Sequence, residues 1–395
     1  MQTLEKKPVV SNQQASEKKT PGAYAGTAFF AALLLFLAIN VGLSASSQNK
    51  RKIAEVIRQA QDEQVNKVAA RHTWPWWLSK LYAEEPQAPD VVIFGSSLLG
   101  SAHASVDATY LMQLLDVLTH RKISFLEKQI SDRVGHPVTV FSLGCPGEMV
   151  SDAYAISKSL IFEGKKKPKL VIATIAPRDF VDSTLPYPAA TDHYKFFSNY
   201  TDLSKMDSAA YTDFFSRMGA ELERLPLKNI GKKELSQFAE PAKSEMDQSG
   251  KFGIKPGDSL VPAGAVPKQV DNTKEYEERF KNPFSGNYNS EMRFFKEWLA
   301  EMKQNGIEVM VVCMPTTAAN RNLLPASFWQ DFRSKIAAVC KENNADWYDL
   351  SDCGLFQQSD YLDTVHLNAY GAIRLFPVLA ERMTMFEPAK KALSK

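Results

Sequence analysis

Asp363 and His366 stand three residues apart in YLDTVHLN, residues 361–368. At that spacing a carboxylate can orient one imidazole nitrogen from the same turn while the other nitrogen faces a nucleophile. A hydroxyl needs such a base, because serine is a weak nucleophile at its own pKa. Ser96 and Ser97 follow Gly95 in FGSSL, where glycine permits a tight turn and a serine can open a helix; an ordinary helix cap would use the same residues. Gly144, in SLGCPG, offers a backbone N–H that can approach an oxyanion without side-chain obstruction, and a simple turn would also explain it. In APRDF, Arg178 sits beside Asp179 as a cation and a carboxylate at one rim or as a surface ion pair. The Asp-x-x-His spacing is not specific by itself in a chain with six histidines. Of the others, His72, His103, His120, His136 and His193, none has a carboxylate three residues before it.

The elements that must position these residues read as an alternation of strands and helices. Runs rich in β-branched and apolar residues predict strands at 91–94, 138–141, 170–175, 307–313 and 347–350. Helical patterns fill the intervals at about 97–134, 151–162, 290–304 and 327–342, and a last helix spans about 369–385. Continuous apolar strands separated by helices indicate a buried parallel sheet covered on both faces. Ligands of such sheets bind at the carboxyl ends of the strands, where each of the residues above falls. The alternation is interrupted at about residues 182–285, an aromatic-rich segment with a polar loop at 249–271 that reads as an insertion over the sheet.

Composition limits what else the chain can be. It has 395 residues, 44% of them hydrophobic, and a formal net charge of +2, which gives no whole-chain field for nucleic acid. Cys145, Cys313, Cys340 and Cys353 form no CxxC, and no metal or nucleotide motif is present, so no cofactor and no metal are expected. Residues 23–47 carry no charge, and 28–43 are nearly continuous hydrocarbon, long enough for a transmembrane helix placed at 23–46 behind a polar tail at 1–22. Ser44, Ala45 and Ser46 would also suit signal-peptide cleavage, whereas the long tail favours an uncleaved anchor in the lipid bilayer. Lysines and arginines flank both ends, so charge does not decide orientation; the body is expected on the extracytoplasmic face. Residues 47–88 read as a stalk or linker and 89–390 as the main domain. Trp74, Trp76 and Trp77 could meet the membrane interface or pack on that domain.

The order of Ser97 after the first strand, Gly144 after the second, a polar rim after the third and Asp363-x-x-His366 before the last helix resembles the SGNH/GDSL hydrolase superfamily over about residues 90–385. The resemblance implies a three-layer α/β/α, flavodoxin-like fold with a parallel sheet and no cofactor. It also implies Ser97, His366 and Asp363 as a catalytic triad, with Gly144 as the oxyanion glycine. Two positions depart from the pattern. Ser96 replaces the usual acid of Gly-Asp-Ser, and Arg178 stands where the third block has asparagine, so Arg178 is either an oxyanion donor or a substrate-binding cation. The single anchor, GSS and HLNAYGA look like DltD-type and related envelope O-acetylation proteins. That likeness implies acyl transfer or ester hydrolysis on a cell-envelope glycan, with a multi-span membrane acyltransferase as partner. The alternative is a non-catalytic scaffold of the same fold that recruits such an acyltransferase.

Overall fold

The computed structural model describes residues 74–113, 115–116, 118–186, 189–198, 201, 253–254 and 270–394. Five parallel strands carry the body: β1 (Val91–Phe94), β2 (Val140–Ser142), β3 (Leu170–Ile175), β4 (Glu308–Cys313) and β5 (Asp346–Asp349). They lie in the order β2-β1-β3-β4-β5. Val91 pairs with Val140 on one side and Leu170 on the other, and Ile175 pairs with Cys313. This is the doubly wound order in which the chain leaves β1 in one direction and later crosses to β3 in the other, opening a crevice at their carboxyl ends. VVIF and LVIATI are buried at every residue, as a central parallel strand with covered faces requires.

In chain order the helices are α1 (Trp74–Glu84), α2 (Ser97–Leu111), α3 (Ser124–Val134), α4 (Val150–Ser157), α5 (Asp192–Ser198), α6 (Thr273–Arg279), α7 (Gly286–Gln304), α8 (Ala318–Arg321), α9 (Ala326–Glu342), α10 (Ala369–Met385) and α11 (Glu387–Leu393). Contacts join α10 to α2 and α3, and α7 to α4 and α9, giving the two groups of helices that a three-layer fold needs. A chain of edge-to-face rings ties the second group to the site. Phe94 of β1 meets Trp298 of α7 at 5.2 Å, and Phe180 meets Phe295 of α7 and Phe332 of α9 at 5.6 and 5.2 Å. Phe180 is fully buried and so pins the turn that follows β3; a side chain of this kind is worth roughly 1.5–3 kcal/mol of burial.

The first and third strands and the last helix lie where the sequence predicts them. The second strand runs two residues later than 138–141 at its start, and the single helical stretch expected at 97–134 is two helices. The break is physical: Met112 adopts a left-handed conformation (φ 53°) and closes α2 by donating its N–H to the Ala108 carbonyl. Asp107 of α2 then starts α3, its carboxylate accepting the N–H groups of Ser124 at 2.7 Å and Phe125 at 2.9 Å. A cap supplied from another helix leaves no local signature at the new N-terminus. Between them Leu115–Asp116 pairs antiparallel with Gly253–Ile254 of the expected insertion.

Helix α1 packs on the body: Trp76, Leu78 and Tyr82 are buried, and Tyr82 donates to the Lys166 carbonyl at 2.8 Å. Of the two uses open to the tryptophans, Trp76 shows packing, with Trp77 edge-on against it at 4.9 Å. The tail, the expected span at 23–46 and the stalk up to residue 73 lie outside the described residues. Among the described residues no helix is long and apolar enough to cross a membrane.

Candidate active site

Ser97 is the first residue of α2, placed there by a turn that only glycine can make. A Cβ on Gly95 would lie 1.9 Å from Thr174 Oγ1 and 3.0 Å from Leu99 Cβ. Thr174, on β3, donates to the Phe94 carbonyl at 2.7 Å, so the neighbouring strand buttresses the last residue before the turn. Ser96 is the N-cap residue and is buried, but its side chain makes no cap bond; its carbonyl accepts the N–H groups of Leu99 and Gly100.

His366 Nε2 lies 2.8 Å from Ser97 Oγ, and His366 Nδ1 lies 2.6 Å from Asp363 Oδ2. An ionised carboxylate can only accept, so Nδ1 carries the proton and Nε2 is left to accept from the serine hydroxyl. The second oxygen of Asp363 accepts the backbone N–H groups of Val365 and His366, both at 2.8 Å. Burial alone would raise the carboxyl, but the hydrogen bond and charge of His366, with those two donors, outweigh it and hold Asp363 below its ordinary value. The Asp363–His366 turn is closed by a Leu362 N–H to His366 carbonyl bond of 2.8 Å. Thr317 donates its N–H and hydroxyl to the Thr364 carbonyl at 3.1 and 2.8 Å, and Asn272 Oδ1 accepts from the Thr364 N–H and hydroxyl. Ser101 of α2 donates to the Leu367 carbonyl at 2.9 Å, joining the nucleophile's helix directly to the histidine loop.

Gly144 follows β2 and approaches the serine turn so closely that a Cβ there would lie 2.5 Å from the Gly95 carbonyl oxygen. The next N–H, from Cys145, donates to that same oxygen at 3.1 Å and to Glu148 Oε2 at 2.8 Å. Among the described residues the Gly144 N–H has no protein acceptor, and the Ser97 N–H, at the first position of its helix, has none within the helix. The sequence-predicted residues Ser97, Asp363 and His366 are therefore in one hydrogen-bonded row, with Gly144 against the turn that bears the serine.

Arg178 is also near this turn, and two of its donors are engaged by protein groups. It is 9% exposed, so the surface ion-pair reading does not hold. Its Nη1 donates to the Glu148 carbonyl at 3.1 Å and its Nη2 to Asp182 Oδ2 at 3.0 Å, with Asp179 Oδ1 at 3.8 Å. Asp182 also accepts from Arg279 of α6. Asp179 takes the Ala176 N–H at 2.8 Å; burial pushes its carboxyl up to about 6, against the opposing effects of the Arg178 charge, that N–H and the Ser96 hydroxyl.

One group of metal-ligand type exists among the described residues: ring nitrogens of His103 and His120 and a carboxylate oxygen of Asp107 lie within 4.8 Å of one another. These atoms are already used. Asp107 caps α3 and accepts from His120 Nε2 at 2.8 Å, while His103 Nε2 donates to the Lys122 carbonyl at 2.9 Å. Burial pushes His103 down to about 4, so it remains the neutral donor of a structural brace.

Several supporting residues carry no local motif. Thr317, just beyond β4, could have been found by the same strand-end rule that flags Ser97. Asn272 has no such signal, because its partner Thr364 is 92 residues away. The row of serine, histidine and aspartate at the carboxyl edge of a doubly wound sheet defines an α/β protein with a Ser-His-Asp constellation. The family model described as DltD protein matches residues 226–375, and over that stretch the chain is DltD-like. The match includes Asp363 and His366 and stops short of Ser97 and Gly144, covering less than the whole-body resemblance in the sequence. No curated protein matches the chain.

Proposed function

We propose that the protein is a membrane-anchored serine O-acyltransferase or esterase that acts on acetyl or alanyl esters of a cell-envelope glycan. The observation that carries this reading is the Ser97–His366–Asp363 row, with hydrogen bonds of 2.8 and 2.6 Å. In the proposed reaction His366 Nε2 takes the Ser97 hydroxyl proton as Oγ attacks the ester carbonyl carbon. The tetrahedral oxyanion takes hydrogen bonds from the Ser97 and Gly144 N–H groups. It then collapses to an acyl-serine as the proton passes from His366 to the departing alcohol. Asp363 holds the ring in the reactive tautomer and stabilises the imidazolium. Water then completes hydrolysis, whereas a glycan hydroxyl completes transfer.

The DltD match supports a role related to D-alanylation of the cell envelope, and the uncharged stretch at 23–46 supports an anchor that keeps the body beside the membrane. A multi-span membrane acyltransferase would deliver the activated acyl group, with the body on the extracytoplasmic face. The test compares wild type with Ser97→Ala and His366→Ala, using a chromogenic acetyl ester and the acyl content of the envelope. Both variants are expected to lose both signals while remaining folded. Two folded variants that match wild type in both assays would leave the scaffold reading in its place. Loss of the envelope mark alone, with no turnover of the small ester by wild type, selects transfer over hydrolysis.

A further inference from the structure

Three side chains grip alternate carbonyls of the loop that carries Gly144. Arg121 Nη1 donates to the Gly144 carbonyl at 2.9 Å, His193 Nε2 to the Pro146 carbonyl at 2.9 Å and Arg178 Nη1 to the Glu148 carbonyl at 3.1 Å. Arg121 holds the glycine itself. It is 5% exposed, its Nε donates to the Leu118 carbonyl at 3.0 Å, and its guanidinium carbon lies 5.0 Å from the centre of the Trp74 ring. Among the described residues no carboxylate lies within 4.0 Å of it, and Nη2 is buried without a hydrogen-bond partner. Burying a guanidinium with no carboxylate in contact costs stability; Glu148 and Asp116 act on it only from a distance, and two backbone carbonyls and a ring are a poor exchange if stability is all that is at stake.

We propose that Arg121 is a positioning residue for the Gly144 oxyanion donor and that Trp74 of α1 holds Arg121 in place. The inference rests on the serine reading proposed above. A charged donor on the Gly144 carbonyl fixes the 144–145 peptide, whose N–H is in turn fixed on Gly95 and Glu148. Gly144 is thus clamped on its C-terminal side against the turn that presents Ser97. Its own N–H is then pre-aimed, which is what makes an oxyanion donor effective, since it need not reorganise as charge develops. The positive charge behind the glycine also favours that anion. Arg121 touches no reacting atom and acts only through the peptide it holds.

The test uses the full chain with the chromogenic acetyl ester, a fluorophosphonate that labels the serine, and an isotope-labelled glycine spectrum. Arg121→Met keeps the stem and removes the donors. Expected is a fall in kcat of about tenfold to a hundredfold with KM within about twofold, the range in which a small misplacement of a reacting group is felt. Fluorophosphonate labelling should slow by the same factor, and the Gly144 amide signal should move. Trp74→Leu, which removes the ring that faces the Arg121 guanidinium, should change kcat in the same direction by less, and decides the matter if Arg121→Met does not fold. A folded Arg121→Met with kcat and labelling unchanged, or with KM alone altered, overturns the proposal. So does an unmoved Gly144 amide. If wild type neither turns over the ester nor takes the label, the serine reading fails, and the amide signal alone still tells whether Arg121 sets the glycine.

Discussion

Arg178 Nη2 sits 3.0 Å from Asp182 Oδ2, and that carboxylate, 2% exposed, also takes Arg279. Arg178 is therefore paired inside the protein with a carboxylate it shares, and its Nη1 supports the Glu148 carbonyl. A cation in this position braces the loop between Gly144 and Glu148.

Removing the shared anion should be costly. Asp182→Asn leaves two guanidinium groups facing each other with no carboxylate between them. Breaking a buried pair from one side typically costs about 3–5 kcal/mol. Urea denaturation of the variant should show a loss of that order; a midpoint within experimental error of wild type would mean that the two arginines are stabilised by something other than Asp182.

Asp363→Asn tests the tautomer. The variant amide can donate to His366 Nδ1, which moves the ring proton to Nε2, where it can no longer accept from Ser97. Ester turnover should fall by about ten-thousand-fold with the fold intact. Retention of more than a tenth of the activity would remove Asp363 from the proposed chemistry.

Gly144→Ala tests the close approach. The added methyl would lie 2.5 Å from the Gly95 carbonyl oxygen, which belongs to the backbone and has nowhere to swing. Overpacking of this kind costs about 1–3 kcal/mol. Thermal melts should show the destabilisation and the ester assay a larger loss, because the turn displaced is the one that bears Ser97. An active, equally stable alanine variant would show that the two turns are less tightly apposed.

The buried carboxyls set a pH trend. Glu291 accepts the N–H and hydroxyl of Ser151 at 2.7 and 2.9 Å; burial nevertheless pushes its carboxyl from 4.5 up to about 8. The folded protein keeps a proton there that the unfolded chain releases above about 4.5. The stability held at low pH is therefore lost as pH rises toward about 8. Glu291→Gln should flatten that decline in melting temperature, although Glu148 and Asp179, also raised by burial, contribute in the same direction. Parallel wild-type and variant slopes between about pH 5 and 8 would show that Glu291 does not titrate in this range.

What was readable in the sequence were features whose cause is local. VVIF and LVIATI announce buried strands by composition alone, and Asp363 and His366 stand out by their spacing together with their place before the last helix. Helix α3 was hidden inside a longer helical pattern because Asp107, the residue that starts it, belongs to the helix before. Arg121 was invisible for a related reason: its meaning lies in the carbonyl of Gly144, 23 residues away, and in a tryptophan ring on a third element. The pair of His120 and Asp107 shows the same limit, since a carboxylate 13 residues earlier escapes any search for a fixed motif.

The serine and its histidine are separated by 269 residues, and the histidine precedes the helix that closes over α2 and α3. A ribosome therefore releases the hydroxyl long before the imidazole. Until residue 366 has emerged and the last crossover has docked, the growing polypeptide carries an unactivated alcohol with no base within reach. Chemistry that needs this serine and this histidine together is therefore silent through synthesis, and a chain broken anywhere in the last crossover is silent for good.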